Sequence, residues 1–430
     1  MQVLNWDKQT QKRLQRDYSH VFDKNIFKKV NRILAEVRQR GDLAVRRYTR
    51  QFDGIDLPLK RLRVSQGDIN RAFEKINVSF VPILKRITDN VKEYYEKELK
   101  RSFEIRRDGV YLAKKYQPLE RVGVYIPGGT APLVSTVYMS VIPAKVAGVK
   151  EIIITTPPNR ETGEIDPHIL AVANLLGVSE IYRIGGAQAV AAMAFGTRTL
   201  RKVDKIVGPG NPYVTEAKRQ VYGFVDIDMV AGPSEVAIIA DSLADPDYVT
   251  CDLLAQAEHF GGTAYLVTHS KKLIEAIRKR VDSGFVIQVK SLAEACEVVN
   301  EIAPEHLEIL TEEPEKLVKN IRHAGAIFLG PYSPAVIGDY IAGPSHVLPT
   351  GGTARYFSPL SASTFIKSSQ IISYGREALS KSRDYVQKLT EMEGLVLHRI
   401  SLEARFIEKK QEDKEETKNK LQETGEPESG

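Results

Sequence analysis

Val122-Gly123-Val124-Tyr125-Ile126-Pro127-Gly128-Gly129 decides how this chain folds. Its first five residues read as an apolar strand buried on both faces, and Pro-Gly-Gly stops that strand in a turn. The theme recurs downstream. Glu151-Ile152-Ile153-Ile154-Thr155 follows a helix pattern as a second strand. Ile181-Tyr182-Arg183-Ile184 runs into Gly185-Gly186-Ala187-Gln188, and Lys205-Ile206-Val207 into Gly208-Pro209-Gly210-Asn211. Strands alternating with helices predict right-handed crossovers and a largely parallel sheet. Apolar runs at 236–240 and 264–268 carry the alternation into a second α/β unit, similar in architecture but without a clear sequence repeat.

Upstream, residues 20–100 read as mostly helical. Phe27, Val30, Ile33 and Leu34 recur at helical spacing, Gly41-Asp42 punctuates, and Ser65-Gln66-Gly67-Asp68 starts a helix ahead of Ile69, Phe73 and Ile76. Another helix covers about 81–100. At the far end, residues 408–430 are rich in lysine and glutamate, with Leu421 the only aliphatic residue. Such a stretch buries too little apolar surface to offset its ordering entropy, so a disordered tail is expected.

A chain of 430 residues implies two or more domains. The net charge of +6 comes without a long basic block, so nucleic acid is not an expected partner. The first residues lack the apolar core of a signal peptide, and no apolar run approaches membrane-spanning length, so no membrane association is expected. Only two cysteines occur, Cys251 and Cys296, far apart and outside any CxxC pair. This predicts neither a disulfide framework nor a thiolate zinc site, and it fits a reducing cytoplasm.

The small residues after each strand let an anionic ligand approach the backbone, and a helix starting there offers free N–H groups to a phosphate. None of the turns is the GxGxxG dinucleotide fingerprint. The same glycines could simply end strands, with Gln188 and Asn211 capping helices and Tyr125 packing in the core. A different chemistry is suggested by Asp252-Leu253-Leu254-Ala255-Gln256-Ala257-Glu258-His259. Read as helix, it sets Gln256 and His259 three positions apart on one face, where an amide oxygen and an imidazole can share a metal ion. In Ala303-Pro304-Glu305-His306-Leu307-Glu308, Pro304 can open a helix and place Glu305 and His306 in its first turn, about 100° apart and suited to separate proton tasks. A helix-dipole role for Glu305 and a capping role for His306 are the plainer alternatives.

Together with Ile227–Glu235, Gly208–Lys218, the loop from Gly338-Asp339-Tyr340 to Thr350, and Glu393-Gly394-Leu395-Val396-Leu397-His398, these stretches resemble the histidinol dehydrogenase family over roughly residues 20 to 407. The resemblance implies an α/β fold of two incomplete Rossmann-like units with parallel sheets, a helical N-terminal region and a small C-terminal dimerisation segment. It implies oxidation of L-histidinol to L-histidine through the aldehyde, with two NAD⁺, in the cytoplasm. Gln256, His259, Asp339 and His398 match the family's zinc ligands, a donor set that manganese or cobalt would also suit. Tyr125, Gln188 and Asn211 match its NAD contacts. Glu305 and His306 match its proton carriers, with His306 taking the alcohol proton and Glu305 activating the water that attacks the aldehyde. Ser234, His346 and Glu393 match substrate-pocket positions beside Gln256, His259, His306, Asp339 and His398. The family forms intertwined homodimers whose C-terminal segment crosses to the partner, which implies that Glu393 and His398 complete the neighbouring site.

The domain organisation expected on this reading is an arm at 1–20, a discontinuous α/β domain at 21–125 with 233–361, a second at 126–232, and a crossing segment at 362–407. Departures from the family pattern are Ser345 in place of asparagine, Ser361-Ala362-Ser363-Thr364-Phe365 without the usual acidic residue, and Phe260-Gly261-Gly262 after His259. The rival readings are a paralogous zinc and NAD dehydrogenase acting on another amino or sulfonated alcohol, a non-catalytic metal-binding protein, and a cysteine-nucleophile aldehyde dehydrogenase using Cys296 or Cys251.

Overall fold

The computed structural model describes residues 1–14, 23–77, 79–128, 132–178, 180–258 and 261–407. Gly129, His259, Phe260 and the charged stretch 408–430 lie outside the described residues. A first strand, β1 (Gln2–Asn5), precedes the helices Lys24–Arg40, Asp42–Asp53, Gln66–Phe73 and Phe80–Glu98. Asp23 caps the first of these, and Ser65 and Asp68 form a capping box at the third. Val30, Ile33, Leu34 and Val37 line the buried face of Lys24–Arg40, whereas Phe27 is exposed and lies under the Arg219 guanidinium.

The hairpin β2 (Phe103–Arg107) and β3 (Val110–Pro118) leads into β4 (Arg121–Tyr125). Crossover helices then connect β4, β5 (Glu151–Thr156), β6 (Glu180–Arg183), β7 (Lys205–Val207) and β8 (Asp226–Ile227). These five strands pair in parallel in the order β6-β5-β4-β7-β8. A second set follows: β9 (Glu235–Ala240), β10 (Thr263–Thr268), β11 (Phe285–Gln288), β12 (His306–Leu310) and β13 (Ala326–Leu329). With β1 at the edge they form a parallel sheet ordered β1-β11-β10-β9-β12-β13. Apart from β1, both sheets have the same doubly wound order, in which the first-formed strand of each set sits between its second and fourth. This is the incomplete Rossmann-like α/β architecture expected.

Side-chain alternation explains why both faces are covered. Val122 and Val124 enter a core with Val137, Val141 and Leu170, while Tyr125, Ile153 and Ile206 enter the opposite core with Val190 and Val214. In the other sheet Val236, Ile238 and Leu266 face one core, and Ala237, Ile239 and Leu307 face another.

Three expectations are corrected. The boundary placed at 126 separates β4 from its own sheet, since β4 pairs with β5 and β7. The arm at 1–20 contributes β1, which extends the second sheet by pairing with β11. Contacts also divide the chain into Met1–Lys100 with Gln117–Lys367 and Arg101–Tyr116 with Ser368 onward, so the hairpin joins the C-terminal segment. That smaller unit holds a three-stranded sheet, ordered β14-β3-β2 with β14 (Ile366–Tyr374), and the helices Arg376–Met392 and Val396–Glu403. Among the described residues, no helix is long and apolar enough to cross a membrane.

Candidate active site

The carboxyl ends of β4 and β7 flank the point where the strand order reverses, the usual ligand crevice of such sheets. A cavity of ≈ 1570 Å³ opens there, lined in part by Tyr125, Gly128, Gly186, Gln188 and Asn211. Tyr125 is buried and its Oη accepts the Gly186 N–H at 3.0 Å; burial pushes its phenol up to about 12. Gln188 is fully buried, and both its amide oxygen and nitrogen lack a hydrogen-bond partner among the described residues. A polar group buried at such cost calls for a ligand. Asn211 caps helix Pro212–Val221 by accepting the Tyr213 and Val214 N–H groups at 3.0 and 3.1 Å, so the plainer capping role holds for that residue. Gly208 has φ +112°, and a Cβ there would meet the Tyr125 carbonyl oxygen at 2.2 Å. Only glycine fits. The Gly208 N–H donates to Asp228 (2.8 Å), its carbonyl accepts from Lys218 (2.9 Å), and Lys218 and Asp228 form a buried ion pair. The residues present therefore suit a dinucleotide.

A second constellation lies at the amino edge of the other sheet. Helix Leu292–Ile302 ends at Ala303, a non-glycine residue at φ +50°, and Pro304 follows. The helix start expected at Pro304 is thus overturned: Pro304 follows a helix end, and His306 opens β12. Proline's missing N–H suits a helix exit as well as a start, and the apolar alternation beyond it selects the strand. Glu305 accepts the Glu235 N–H at 3.2 Å and a hydrogen bond from Ser234. Burial raises its carboxyl to about 7, against the opposing pull of His306. His306 Nδ1 lies 3.8 Å from Glu305, and its Nε2 3.5 Å from Asp339 Oδ1. Burial disfavours the imidazolium, but Asp339 and Glu305 outweigh it and raise His306 to about 9. His346 Nδ1 lies 3.1 Å from the Asp339 carbonyl oxygen, with Nε2 3.5 Å from Thr136 Oγ1.

The fold thus gathers Ser234, Glu305, His306, Asp339 and His346. Gln256 sits near the end of helix Pro246–Ala257, which returns antiparallel from β9 and so ends toward the same amino edge. It is buried, and its Nε2 lacks a partner among the described residues. His259 is outside the described residues. Glu393 and His398 belong to the smaller unit, Glu393 capping helix Arg376–Met392 and His398 exposed on helix Val396–Glu403. Among the described residues no three His, Cys, Asp or Glu side chains form a ready metal cluster. The Asp339 carboxylate and the Gln256 amide nonetheless offer oxygen donors of the kind a zinc ion takes.

Two of the three departures from the family pattern have local hydrogen-bond partners in the structure. Ser345 Oγ accepts the Val347 N–H at 3.1 Å while the Ser345 N–H donates to Tyr95 at 2.7 Å, which holds the chain around His346. In the stretch without the acid, Thr364 Oγ1 accepts the Ser361 N–H at 3.1 Å. Cys296 is buried, and burial raises its thiol; Cys251 is exposed. Sequence reading gave no role to Asp252 and Glu308, whose carboxyls face each other, burial and mutual repulsion raising Glu308. Both stood in the motifs, but an acid in a strand gives no sign of its partner.

A family model described as histidinol dehydrogenase matches residues 16–406. The histidinol dehydrogenase of Heliobacterium mobile is 48% identical over 89% of this chain and 94% of its own length. That of Bacillus cereus is 46% identical over 92% and 96% respectively. The crystal structure of histidinol dehydrogenase from Elizabethkingia anophelis superposes with a TM-score of 0.87 at 34% identity, covering 94% of this chain and 98% of that one.

Proposed function

The chain belongs to the histidinol dehydrogenase family of oxidoreductases, and we propose that it carries out the zinc- and NAD-dependent oxidation of L-histidinol to L-histidine through L-histidinal, closing histidine biosynthesis in the cytoplasm. The observation that carries this reading is the convergence of buried Glu305 and His306 with half-buried Asp339 and His346. NAD⁺ supplies the hydride acceptor, and the unpartnered Gln188 amide with the Gly186 and Gly208 turns would hold it. Zinc, when bound, would supply Lewis acidity that orients the substrate, and Gln256, His259, Asp339 and His398 would hold it.

The protein's own residues handle the protons. His306 accepts the alcohol proton in its neutral form, whose share grows as pH rises toward about 9, as hydride leaves the carbinol carbon. Glu305 then takes a proton from the water that adds to the aldehyde while protonated His306 returns its proton to the aldehyde oxygen, and loss of a hydride and a proton from the resulting diol gives the acid. Ser234 orients Glu305 through its hydrogen bond. His346 holds the Asp339 segment, and Glu393 pairs with the substrate ammonium. A homodimer is proposed to unite Glu393 and His398 with the partner's cluster. The smaller unit supports this by exposing Ile372, Tyr385, Met392 and Leu397, an apolar set suited to an interface.

Zinc-loaded protein should form two NADH per histidinol, and chelation should abolish turnover until zinc is restored. Full activity after stripping refutes the metal role, and turnover of another alcohol but not histidinol refutes the substrate. Glu305→Gln should slow aldehyde oxidation more than alcohol oxidation, and His306→Asn the reverse; equal losses overturn that division.

A further inference from the structure

Glu308 is 1% exposed in the middle of β12, where an apolar side chain would fill the space without the cost of burying a carboxyl. Its Oε1 accepts the Ala335 N–H at 2.7 Å. Its carboxyl also faces that of Asp252. One side chain thereby touches three segments: β12, helix Ala335–Tyr340 and helix Pro246–Ala257.

Each contact point lies one structural repeat behind a residue of the candidate site. Glu308 and His306 are two apart on a strand, so they share a face about 6.7 Å apart along it. Ala335 and Asp339, and likewise Asp252 and Gln256, are four apart on helices and so share a face about 6 Å apart. The layer Glu308–Ala335–Asp252 therefore stands directly behind the layer His306–Asp339–Gln256, with nearly equal spacing in all three segments. Holding the rear layer in register holds the front one.

We propose that Glu308 is a positioning residue, which sets the Gln256 and Asp339 segments against His306 so that their donors meet on one divalent cation. This rests on the zinc reading above. It deepens that reading by adding a residue that touches neither metal nor substrate.

Zinc affinity of the full-length protein, measured by competition with a chromophoric chelator, provides the test, with thermal melts of the zinc-free forms to confirm folding. Glu308→Ala should weaken zinc binding by about 10- to 100-fold, the usual effect of losing a residue that orients metal ligands. Glu308→Gln should stay within about threefold of wild type, because its amide oxygen still accepts the Ala335 N–H and its NH₂ can donate to Asp252. Ala335→Pro removes the donated N–H while leaving Glu308 in place, and the first helical position tolerates proline. It should weaken zinc in the same direction as Glu308→Ala.

Folded Glu308→Ala or Ala335→Pro protein with wild-type affinity overturns the proposal. So does Glu308→Gln as weak as Glu308→Ala, which would make charge rather than hydrogen bonding the cause. If Glu308→Ala does not fold, the other two variants decide. Wild-type protein that takes up no zinc overturns the functional reading and this inference together, whereas normal uptake by wild type and variants alike overturns this inference alone.

Discussion

Asp53 shows how much of a residue's chemistry depends on where its helix ends. It closes helix Asp42–Asp53 on the cavity at the ends of β4 and β7, and its Oδ2 is buried without a hydrogen-bond partner among the described residues. Burial raises its carboxyl to about 6, with Arg160 pulling the other way. The folded protein holds a proton there that the unfolded chain releases near pH 4. The stability linked to Asp53 is therefore complete below its unfolded value and is lost as pH rises through about 6. Asp53→Asn stays neutral throughout. In cofactor-free protein it should be more stable than wild type by roughly 2 kcal/mol at pH 8, with the difference vanishing at pH 4. Denaturant melts at the two pH values check this, and equal stabilities at pH 8 would refute it. Nothing in Gln51-Phe52-Asp53-Gly54 signals that shift, because it depends on neighbours more than a hundred positions away.

Strands and turns were more legible than isolated side chains. The runs at Val122, Glu151, Ile181 and Lys205 each became a parallel strand, and each glycine turn became a strand-to-helix connection. Pro304 misled because proline is equally compatible with a helix start and a helix exit. The β2–β3 hairpin escaped notice: β2 is exposed and β3 mostly half-buried, so neither carries a buried alternation to read. The clamp on the Gly208 turn was likewise invisible, since Lys218 and Asp228 come from a helix and a loop that meet only across that turn. Lys218→Met strands the Asp228 carboxylate and should destabilise the protein by about 3 kcal/mol or more. Adding Asp228→Asn should recover part of that loss, and strictly additive losses in thermal melts would show that the pair is not coupled.

The proposed sharing of sites between two copies of the chain belongs to the scale of the assembly. If His398 serves the partner's cluster, mixing inactive His306→Asn and His398→Ala proteins and allowing subunit exchange should restore about a quarter of wild-type activity, since half the dimers are mixed and each has one intact site. No recovery would place both residues in one subunit's site. The chain's own order of residues determined the alternation of strands and helices, the doubly wound sheets and the family. Those follow from side-chain periodicity and glycine stereochemistry, which are local. Only the tertiary structure decided that Glu305 and His306 leave a helix to open a strand, that Asp339 faces that imidazole, and that Glu308 ties three segments together. These depend on which side chains burial brings within hydrogen-bond reach, and burial is a property of the packed molecule.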